Sequence, residues 1–345
     1  MNRGLICAAL AAAVLAVGCG SGGGTASNTT GGTSGSTGST GSGSSGKQLT
    51  IAVIPKGSTH EYWKSVHQGA EQAAKELGVN IIFKGPLKED DRDSQVTEVD
   101  DFVTKHVDGI VLAPLDEHAL VGPVNEATGA GIPVLIIDSA LDGGKTVSFV
   151  ATDNEKGGEM AGDYLGKILN GKGKVVMLRY EAGSASTEAR EAGFLKAIAK
   201  YKGITIVSDN QHGGATVDSA QTASESLLAP YRQANGSLGI DGIFCPNEST
   251  ASGMLLVLEQ NNWAGKVKFV GFDSSDQLIK GLKAGHIDGL IVQNPVKMGY
   301  LGVKMLVDSI HGKTVDAHVD TGATLVTPQN MTQPDIAKLI APPTD

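Results

Sequence analysis

Beyond a Gly/Ser/Thr-rich N-terminal region, the chain alternates short apolar segments of strand length with longer segments whose apolar residues recur at helical spacing. In the first such pair, the segment 49–54 ends at Pro55, and the helical pattern of 61–77 ends at Gly78. The same alternation starts again after Asp153. Because the predicted strands are apolar on both faces, we expect parallel sheets covered by helices on both sides. The sequence therefore predicts an α/β protein with two similar lobes.

The N-terminal region has the composition of a targeting segment followed by a linker. Residues 1–18 carry one charge, Arg3, and an apolar run too short to span a bilayer comfortably. Small residues precede Cys19, so we predict a lipoprotein signal peptide over 1–18 and acylation of Cys19. An ordinary signal peptide with an incidental cysteine is the alternative. Residues 19–46 are almost entirely Gly, Ser and Thr and are predicted to form a flexible tether.

Charge and cysteine content narrow the classes of partner. The formal net charge is −9 and the sequence has no basic stripe, which argues against a nucleic-acid partner. Outside the leader and Cys19, the sequence has one cysteine, Cys245, which cannot form an intrachain disulfide and is predicted to be a small core residue. No second apolar stretch is long enough for a membrane helix. We expect a monomer that needs no cofactor or metal.

Polar residues directly after predicted strands are the first candidates for a binding site, because ligands of open α/β sheets lie beyond the carboxyl ends of the strands. At these places the sequence carries five motifs in order. They are Thr50-Ile-Ala-Val-Ile-Pro, Pro-Val-Leu-Ile-Ile-Asp138, Thr152-Asp-Asn-Glu-Lys-Gly-Gly158, Arg190-Glu-Ala-Gly-Phe194 and Val270-Gly-Phe-Asp273.

Together these motifs resemble the periplasmic sugar-binding proteins of ABC importers, of the ribose-binding type. That family shares its fold with the ligand domains of LacI-type repressors, but a repressor would begin with a helix-turn-helix instead of an export leader. The resemblance implies a type I periplasmic binding protein with three crossovers between its lobes. One lobe is then 48–152 plus 294–320, and the other is 153–293 plus 321–340.

The resemblance also implies which residues contact the ligand. The matching positions come from both predicted lobes and are chemically suited to a sugar, which needs carboxylates, amides, a guanidinium and aromatic faces. They are Lys56, His60, Tyr62, Trp63, Asp138 and Ser139 in the first lobe, and Arg190, Asn247, Asp273 and Gln293 in the second.

Most of these assignments have a structural alternative. The two aspartates and Asn247 are residue types that also cap helices. Arg190 is alternatively a surface charge paired with a neighbouring glutamate. Tyr62 and Trp63 are alternatively core residues, but because they are adjacent on a first helical turn, we predict that one of them faces outward and stacks on the ligand.

Several positions depart from the ribose-binding pattern. Ser139 stands where that pattern has arginine, and Lys56 and His60 stand where it has uncharged polar residues. Pro55-Lys56, together with Lys84-Gly-Pro86, is closer to the rhamnose- and autoinducer-2-binding subgroup. The ligand therefore need not be ribose, and a lysine beside paired carboxylates also favours a ligand with a carboxylate or a hydrated carbonyl.

Two other polar groups are given no binding role. The acidic run 89–93 is predicted to be a solvated loop with helix caps. Ser184, Ser186, His212 and Asp218 contain the residue types of a hydrolase triad, but no GxSxG elbow accompanies them.

The function implied by the resemblance is that of a substrate-binding lipoprotein. It would capture a small sugar or polyol between two closing lobes, at the periplasm or cell surface, and deliver it to an ABC permease. A receptor that presents the ligand to a membrane sensor kinase or chemoreceptor is the alternative. An exported enzyme is a third hypothesis, for which the sequence offers no catalytic constellation.

Overall fold

The computed structural model describes residues 47–342. Strands and helices alternate through most of this range. The first elements are β1 (Thr50–Ile54), α1 (Glu61–Leu77), β2 (Asn80–Phe83), α2 (Arg92–Thr104), β3 (Gly109–Leu112), α3 (Val121–Gly129), β4 (Val134–Ile137) and β5 (Phe149–Ala151). They are followed by α4 (Asn154–Ile168), β6 (Lys172–Arg179), α5 (Ala185–Ile198), β7 (Gly203–His212), α6 (Val217–Leu228), β8 (Gly242–Phe244), α7 (Glu248–Gln260), β9 (Lys268–Phe272), α8 (Asp276–Ala284), β10 (Gly289–Gln293), α9 (Pro295–Ile310), β11 (His318–Asp320), β12 (Ala323–Val326) and α10 (Pro334–Leu339).

The strands form two six-stranded sheets of matching order. The first sheet runs β2-β1-β3-β4-β5-β11 with every pair parallel. The second runs β7-β6-β8-β9-β10-β12 and is parallel except for β12, which pairs antiparallel with β10. Two sheets of largely parallel strands flanked by helices confirm the predicted α/β fold of the type I periplasmic binding protein class.

Helices cover both faces of each sheet, as the apolar strands predict. In the first sheet, α1 and α9 pack on one face, and α2 and α3 pack on the other. The inner strands β3 and β4 are buried at every residue. The second sheet has α4 and α5 on one face and α6, α7 and α8 on the other. We call the first sheet with α1, α2, α3 and α9 the first lobe, and the second sheet with α4 to α8 the second lobe.

The chain passes between the two lobes three times, after β5, after β10 and after β11. Because of these crossings, α9 and β11 belong to the first lobe although they follow almost the entire second lobe in sequence. The pattern of the sequence did not predict β5, α9, β11 or β12. Three of these are strands of three or four residues, too short to produce a recognisable alternation.

Each lobe contains helices that approach closely through glycine. In the first lobe, a Cβ added at Gly299 of α9 would collide with the carbonyl oxygen of Val66 in α1. In the second lobe, a Cβ added at Gly158 of α4 would collide with the carbonyl oxygen of Arg190 in α5. The absence of a side chain at these two positions therefore sets how closely the backbones pack.

The predicted leader, the tether and Cys19 lie outside the described residues. Within 47–342, no helix has both the length and the apolar character needed to cross a membrane. Cys245 is fully buried among apolar side chains of the second lobe and is a free thiol. The prediction that this cysteine is a small core residue is therefore confirmed.

Candidate functional site

Polar side chains from the carboxyl ends of both sheets converge on a small cavity between the lobes, with a volume of about 30 Å³. Nine of the ten positions implied by the resemblance line it: Lys56, His60, Tyr62, Trp63, Asp138, Arg190, Asn247, Asp273 and Gln293. Ser139 does not line the cavity. Its hydroxyl instead accepts a hydrogen bond from the backbone N–H of Ser186 at 3.0 Å, across the lobe boundary.

Asp138 follows β4 in the left-handed backbone region, with φ of 65°, which Asp and Asn tolerate better than most residues. One carboxylate oxygen accepts the hydroxyl of Tyr62 at 2.8 Å. The other lies 3.3 Å from the ammonium of Lys56, and both partners of this ion pair are buried. No helix starts after Asp138, so the helix-cap alternative is wrong here.

Asp273 occupies the corresponding place after β9, with φ of 68°. It accepts the side-chain amide of Gln293 at 2.7 Å and the backbone N–H of Glu248 at 3.1 Å. Arg190 lies 3.9 Å away. Burial raises the pKa of Asp273, although Arg190 and Gln293 act in the opposite direction. The N-cap of the following helix, α8, is Ser275 instead, so Asp273 does not cap that helix, although it accepts the first backbone N–H of α7.

Arg190 is a buried residue, so the alternative of a surface charge is wrong. Its Nε donates to the side-chain oxygen of Asn154 at 2.8 Å, and Nη1 donates to the carbonyl of Pro246 at 3.1 Å. The guanidinium lies 4.1 Å from the centre of the Phe272 ring, a distance typical of a cation–π contact. Packing and hydrogen bonds therefore hold this side chain against the site.

The two amide side chains of the site are already hydrogen-bonded. Asn247 is the N-cap of α7, and its oxygen accepts the backbone N–H of Thr250 at 3.2 Å. Asn247 therefore caps α7 and also lines the cavity. Gln293 donates to Asp273, while its oxygen accepts the hydroxyl of Thr152 at 2.9 Å. Thr152 and Gln293 lie beside the first and second crossings between the lobes. Their hydrogen bond therefore connects the site to the hinge, the segments that link the two lobes.

Tyr62 and Trp63 are both buried, and their rings meet edge to face with centres 4.9 Å apart. The prediction that one of them faces outward is wrong, because the second lobe covers the first turn of α1. Both residues line the cavity, and stacking of one of them on the ligand stays a prediction. The carboxylate of Glu248 accepts the backbone N–H of Glu61 at 3.2 Å and that of Tyr62 at 3.1 Å. Burial raises the pKa of Glu248 to about 7, although the charge of His60 opposes the shift.

The structure adds site residues that the sequence did not indicate. Glu89 lies in the acidic run that we predicted to be solvated, yet it is buried and lines the cavity. The prediction holds for Asp91, which is exposed and caps α2. Tyr180 directly follows β6. The criterion of a polar residue directly after a strand could therefore have identified it. The other added residues that line the cavity are Ser186, Thr187 and Glu248.

A larger depression of about 850 Å³ lies between α1, the start of α9 and the C-terminal segment, and shares three lining residues with the site. The small cavity is nevertheless the candidate site, because the buried charges converge there. Pockets for small molecules usually measure roughly 300 to 1,000 Å³, so a sugar can enter only if the lobes or the lining side chains move.

Comparisons with known proteins agree on one family. A family model described as a periplasmic binding protein domain matches residues 51–314. The D-allose-binding periplasmic protein of Escherichia coli is 32% identical over 267 residues, which cover 75% of this chain and 83% of that protein. The ribose import binding protein of Bacillus subtilis is 29% identical over 282 residues, covering 81% of this chain and 88% of that protein.

Solved structures show the same similarity in three dimensions. A carbohydrate transporter solute binding protein from Agrobacterium radiobacter, in complex with D-arabinose, aligns with a TM-score of 0.81 at 35% identity and covers 86% of this chain and 99% of its own. An ABC transporter solute binding protein from Agrobacterium vitis, with bound D-fucose, aligns with a TM-score of 0.80 at 33% identity and covers 85% of this chain and all of its own.

Proposed function

Because this chain belongs to the periplasmic binding protein family, we propose that it is the substrate-binding protein of an ABC importer and captures a small sugar or related polyhydroxy solute. The observation that carries this proposal is the convergence of buried charged, amide and aromatic side chains from both lobes on one cavity. Sugar hydroxyls both donate and accept hydrogen bonds, so a site that offers fixed donors and fixed acceptors can match their pattern.

The side chains divide into acceptors, donors and apolar walls. Asp138 and Asp273 would accept from sugar hydroxyls, with the strength of charge-assisted hydrogen bonds. The donors would be the cations Lys56 and Arg190, together with His60, Asn247 and Gln293. Tyr62 and Trp63 would contact the C–H face of the ring. We leave Ser139 out of this contact set, because its hydroxyl is engaged across the lobe boundary and does not line the cavity.

Hydrogen bonds between the lobes support closure around the ligand. The ammonium of Lys56, in the first lobe, lies 3.1 Å from the hydroxyls of both Ser184 and Ser186 in the second. Glu248 of the second lobe accepts the first backbone N–H groups of α1. Groups from both lobes would thus surround a bound sugar, and a ligand that contacts both lobes shifts the population toward the closed form.

A thermal-shift screen tests the proposal with pentoses, hexoses, deoxysugars and polyols as probes. A sugar that binds only the folded protein stabilises it by roughly 2.7 kcal/mol at a hundredfold excess over Kd. Small-angle scattering should then show a smaller radius of gyration at saturating sugar. If no member of the panel raises the melting temperature, the proposed function is wrong. If a sugar binds without a change in radius, the closure mechanism is wrong.

The remaining parts of the proposal concern chemistry and location. We propose that the bound sugar is released unchanged, which NMR of the sugar recovered after prolonged incubation would test. Members of this family act in the periplasm or outside the cell. Here the composition of residues 1–46 supports a lipoprotein anchored through Cys19. We also propose that the protein is a monomer and hands its ligand to a permease in the membrane.

A further inference from the structure

Glu89 connects three walls of the candidate site. This carboxylate, in the loop between β2 and α2, is 5% exposed. It lies 2.7 Å from Nδ1 of His60 and accepts hydrogen bonds from the indole N–H of Trp63 and from the hydroxyl of Tyr180, the latter at 2.6 Å. Tyr180 belongs to the second lobe, whereas the other two residues belong to the first. One buried acid therefore fixes side chains on both sides of the cavity.

The contact between Glu89 and His60 is an ion pair. Burial opposes the charge on Glu89, but the neighbouring His60, together with Lys56, lowers its pKa to about 2. Burial also opposes the charge on His60, yet Glu89, with added contributions from Glu248 and Asp273, raises its pKa to about 9. At neutral pH the imidazole therefore carries a proton on both nitrogens, and each nitrogen can only donate.

Only one of these two donors is used by the protein. Nδ1 of His60 faces Glu89, whereas Nε2 has no hydrogen-bond partner within residues 47–342, although the ring lines the cavity. We propose that Glu89 is a positioning residue that holds His60 as a fixed hydrogen-bond donor, so that the site selects a sugar with an acceptor oxygen at this wall. This inference rests on the proposed function, since it concerns how the same site chooses its ligand.

The arrangement would discriminate strongly against analogues that lack the oxygen. A deoxysugar would leave a buried, charged donor unpaired, and sites that hydrogen-bond a particular hydroxyl reject ligands without it for this reason. Glu89 would contribute without touching the sugar, by fixing the protonation state and the orientation of the imidazole.

The first test follows the histidine in the free protein. In Glu89→Gln, the imidazole loses its counter-charge, so NMR titration should show the pKa of His60 falling by more than about one unit, a tenfold change in proton affinity. The matched control is Glu98→Gln, which removes a largely buried carboxylate from α2 of the same lobe, paired with Lys84 at 2.7 Å and away from the cavity. The control should leave the His60 titration unchanged. An unchanged titration in Glu89→Gln would overturn the inference.

The second test uses the sugar with the largest thermal shift and measures Kd by calorimetry at pH 5.5 and pH 8. The ratio of the Kd of Glu89→Gln to that of wild type should grow about tenfold or more between these pH values, as the variant loses the imidazole proton. A ratio that does not change with pH, while wild type binds normally, would sink this inference alone. Failure of wild type to bind any sugar would sink the proposed function and this inference together.

A series of single deoxy analogues of that sugar then identifies the oxygen. One analogue should bind wild type at least roughly tenfold more weakly than the parent sugar does, because a charged donor loses its partner. His60→Ala should bind that analogue and the parent with similar affinity. If each analogue binds more weakly than the parent sugar by the same factor in wild type and in His60→Ala, His60 makes no hydrogen bond to the ligand and the inference is wrong.

Discussion

Asp138 and Asp273 occupy equivalent places in the two lobes. Each follows an inner strand of its sheet, each has a positive φ near 65 to 68°, and each lies beside a buried cation. A residue in this backbone region turns the chain sharply and directs its carboxylate into the cavity instead of along the strand. Asp and Asn are the common residues with side chains in this conformation, so the local backbone and the binding chemistry require similar residue types.

Replacing either aspartate by asparagine should weaken sugar binding without altering the backbone. In Asp138→Asn, an acceptor oxygen becomes a donor and Lys56 loses its counter-charge. A mismatched buried group costs about 1 to 3 kcal/mol, so Kd should rise roughly ten- to a hundredfold. Asp273→Asn should act similarly through Arg190. Calorimetry with the best sugar measures the effect, and Asp142→Asn, at an exposed carboxylate, is the control. Full affinity in both site variants would show that these carboxylates only balance the cations.

The charge on His60 should make stability depend on pH. Its pKa is about 9 because Glu89 outweighs the effect of burial, compared with an ordinary value near 6.5. A raised pKa means that the stabilisation is complete below pH 6.5 and is lost as the pH rises through 9. Urea unfolding should therefore show a loss of roughly 3 kcal/mol over this window. Burial raises the pKa of Glu248 to about 7. This residue should therefore add a further loss of folding stability as the pH rises from about 4.5 to 7.

Two histidine variants provide the comparison for this pH dependence. His60→Gln should remove the part of the loss between pH 6.5 and 9 that His60 causes, whereas the loss due to Glu248 remains and moves to higher pH, because the charge of His60 no longer opposes its raised pKa. His67→Gln removes a half-exposed histidine on α1 and should keep the wild-type profile. Should His60→Gln and wild type give parallel curves from pH 6.5 to 9, the ion pair with Glu89 does not stabilise the fold.

The sequence indicated residues that line the candidate site where the signal was local. A polar residue directly after an apolar strand indicated Asp138 and Asp273, and the family motif added Arg190. Glu89 was missed because its burial depends on partners that are distant in sequence, above all Tyr180, 91 positions away. In a run of four acids and one arginine, solvent exposure is the usual outcome, and nothing in that run shows that its first acid meets a histidine, an indole and a phenol.

At the scale of elements, the glycine contacts fix the helices that carry the site. α1 begins with the residues that line the cavity, and α9 begins at the second crossing between the lobes. Their close packing through Gly299 therefore sets the position of Tyr62 and Trp63 relative to the hinge. The helical spacing of α1 was readable in the sequence, but its partner was not, because α9 lies more than 200 residues further along the chain.

Adding a methyl group at this contact should destabilise the first lobe. In Gly299→Ala, the new Cβ meets the backbone oxygen of Val66, which cannot move aside as a side chain would. Overpacking of this kind costs about 1 to 3 kcal/mol or more, measured as the free energy of unfolding in urea. Gly122→Ala in α3 is the matched control, because its Cβ would meet nothing within 4 Å and alanine favours helix. Equal stability of the two variants would show that α1 and α9 can separate freely.

At the scale of the whole molecule, the relative placement of the lobes was beyond reach of the sequence. Contacts such as Lys56 with Ser184 and Ser186 join residues about 130 positions apart, and they depend on how far the cleft is closed. The strand and helix patterns determine each lobe separately. These patterns carry no information on closure of the cleft. The residues between the lobes are polar, and in an open form they could make their hydrogen bonds to water instead of to the other lobe.

The proposed anchor predicts that Cys19→Ser releases the protein from membranes while its melting temperature stays the same. A Gly/Ser/Thr-rich linker of this length would have a root-mean-square span of roughly 30 Å, so under this proposal the anchor should not affect the stability of the folded part. Membrane fractionation and palmitate labelling measure the effect. Cys7→Ser, in the leader, is the matched control and should remain anchored and labelled. A Cys19→Ser protein that still sediments with membranes would contradict the lipoprotein proposal.

The late position of α9 and β11 in the chain has a consequence for the order of events in time. During synthesis, β1 to β5 and α1 emerge early, but α9, which covers one face of the sheet together with α1, follows only after the whole segment 154–293. Met298, Leu306 and Val307 of α9 complete that apolar cluster. The second lobe is nearly contiguous and needs only β12 and the C-terminal segment with α10 from beyond 154–293. The lobe that is made first therefore receives its last helix only after almost all of the second lobe has been made, and its incomplete apolar face stays open to chaperones throughout the synthesis of 154–293.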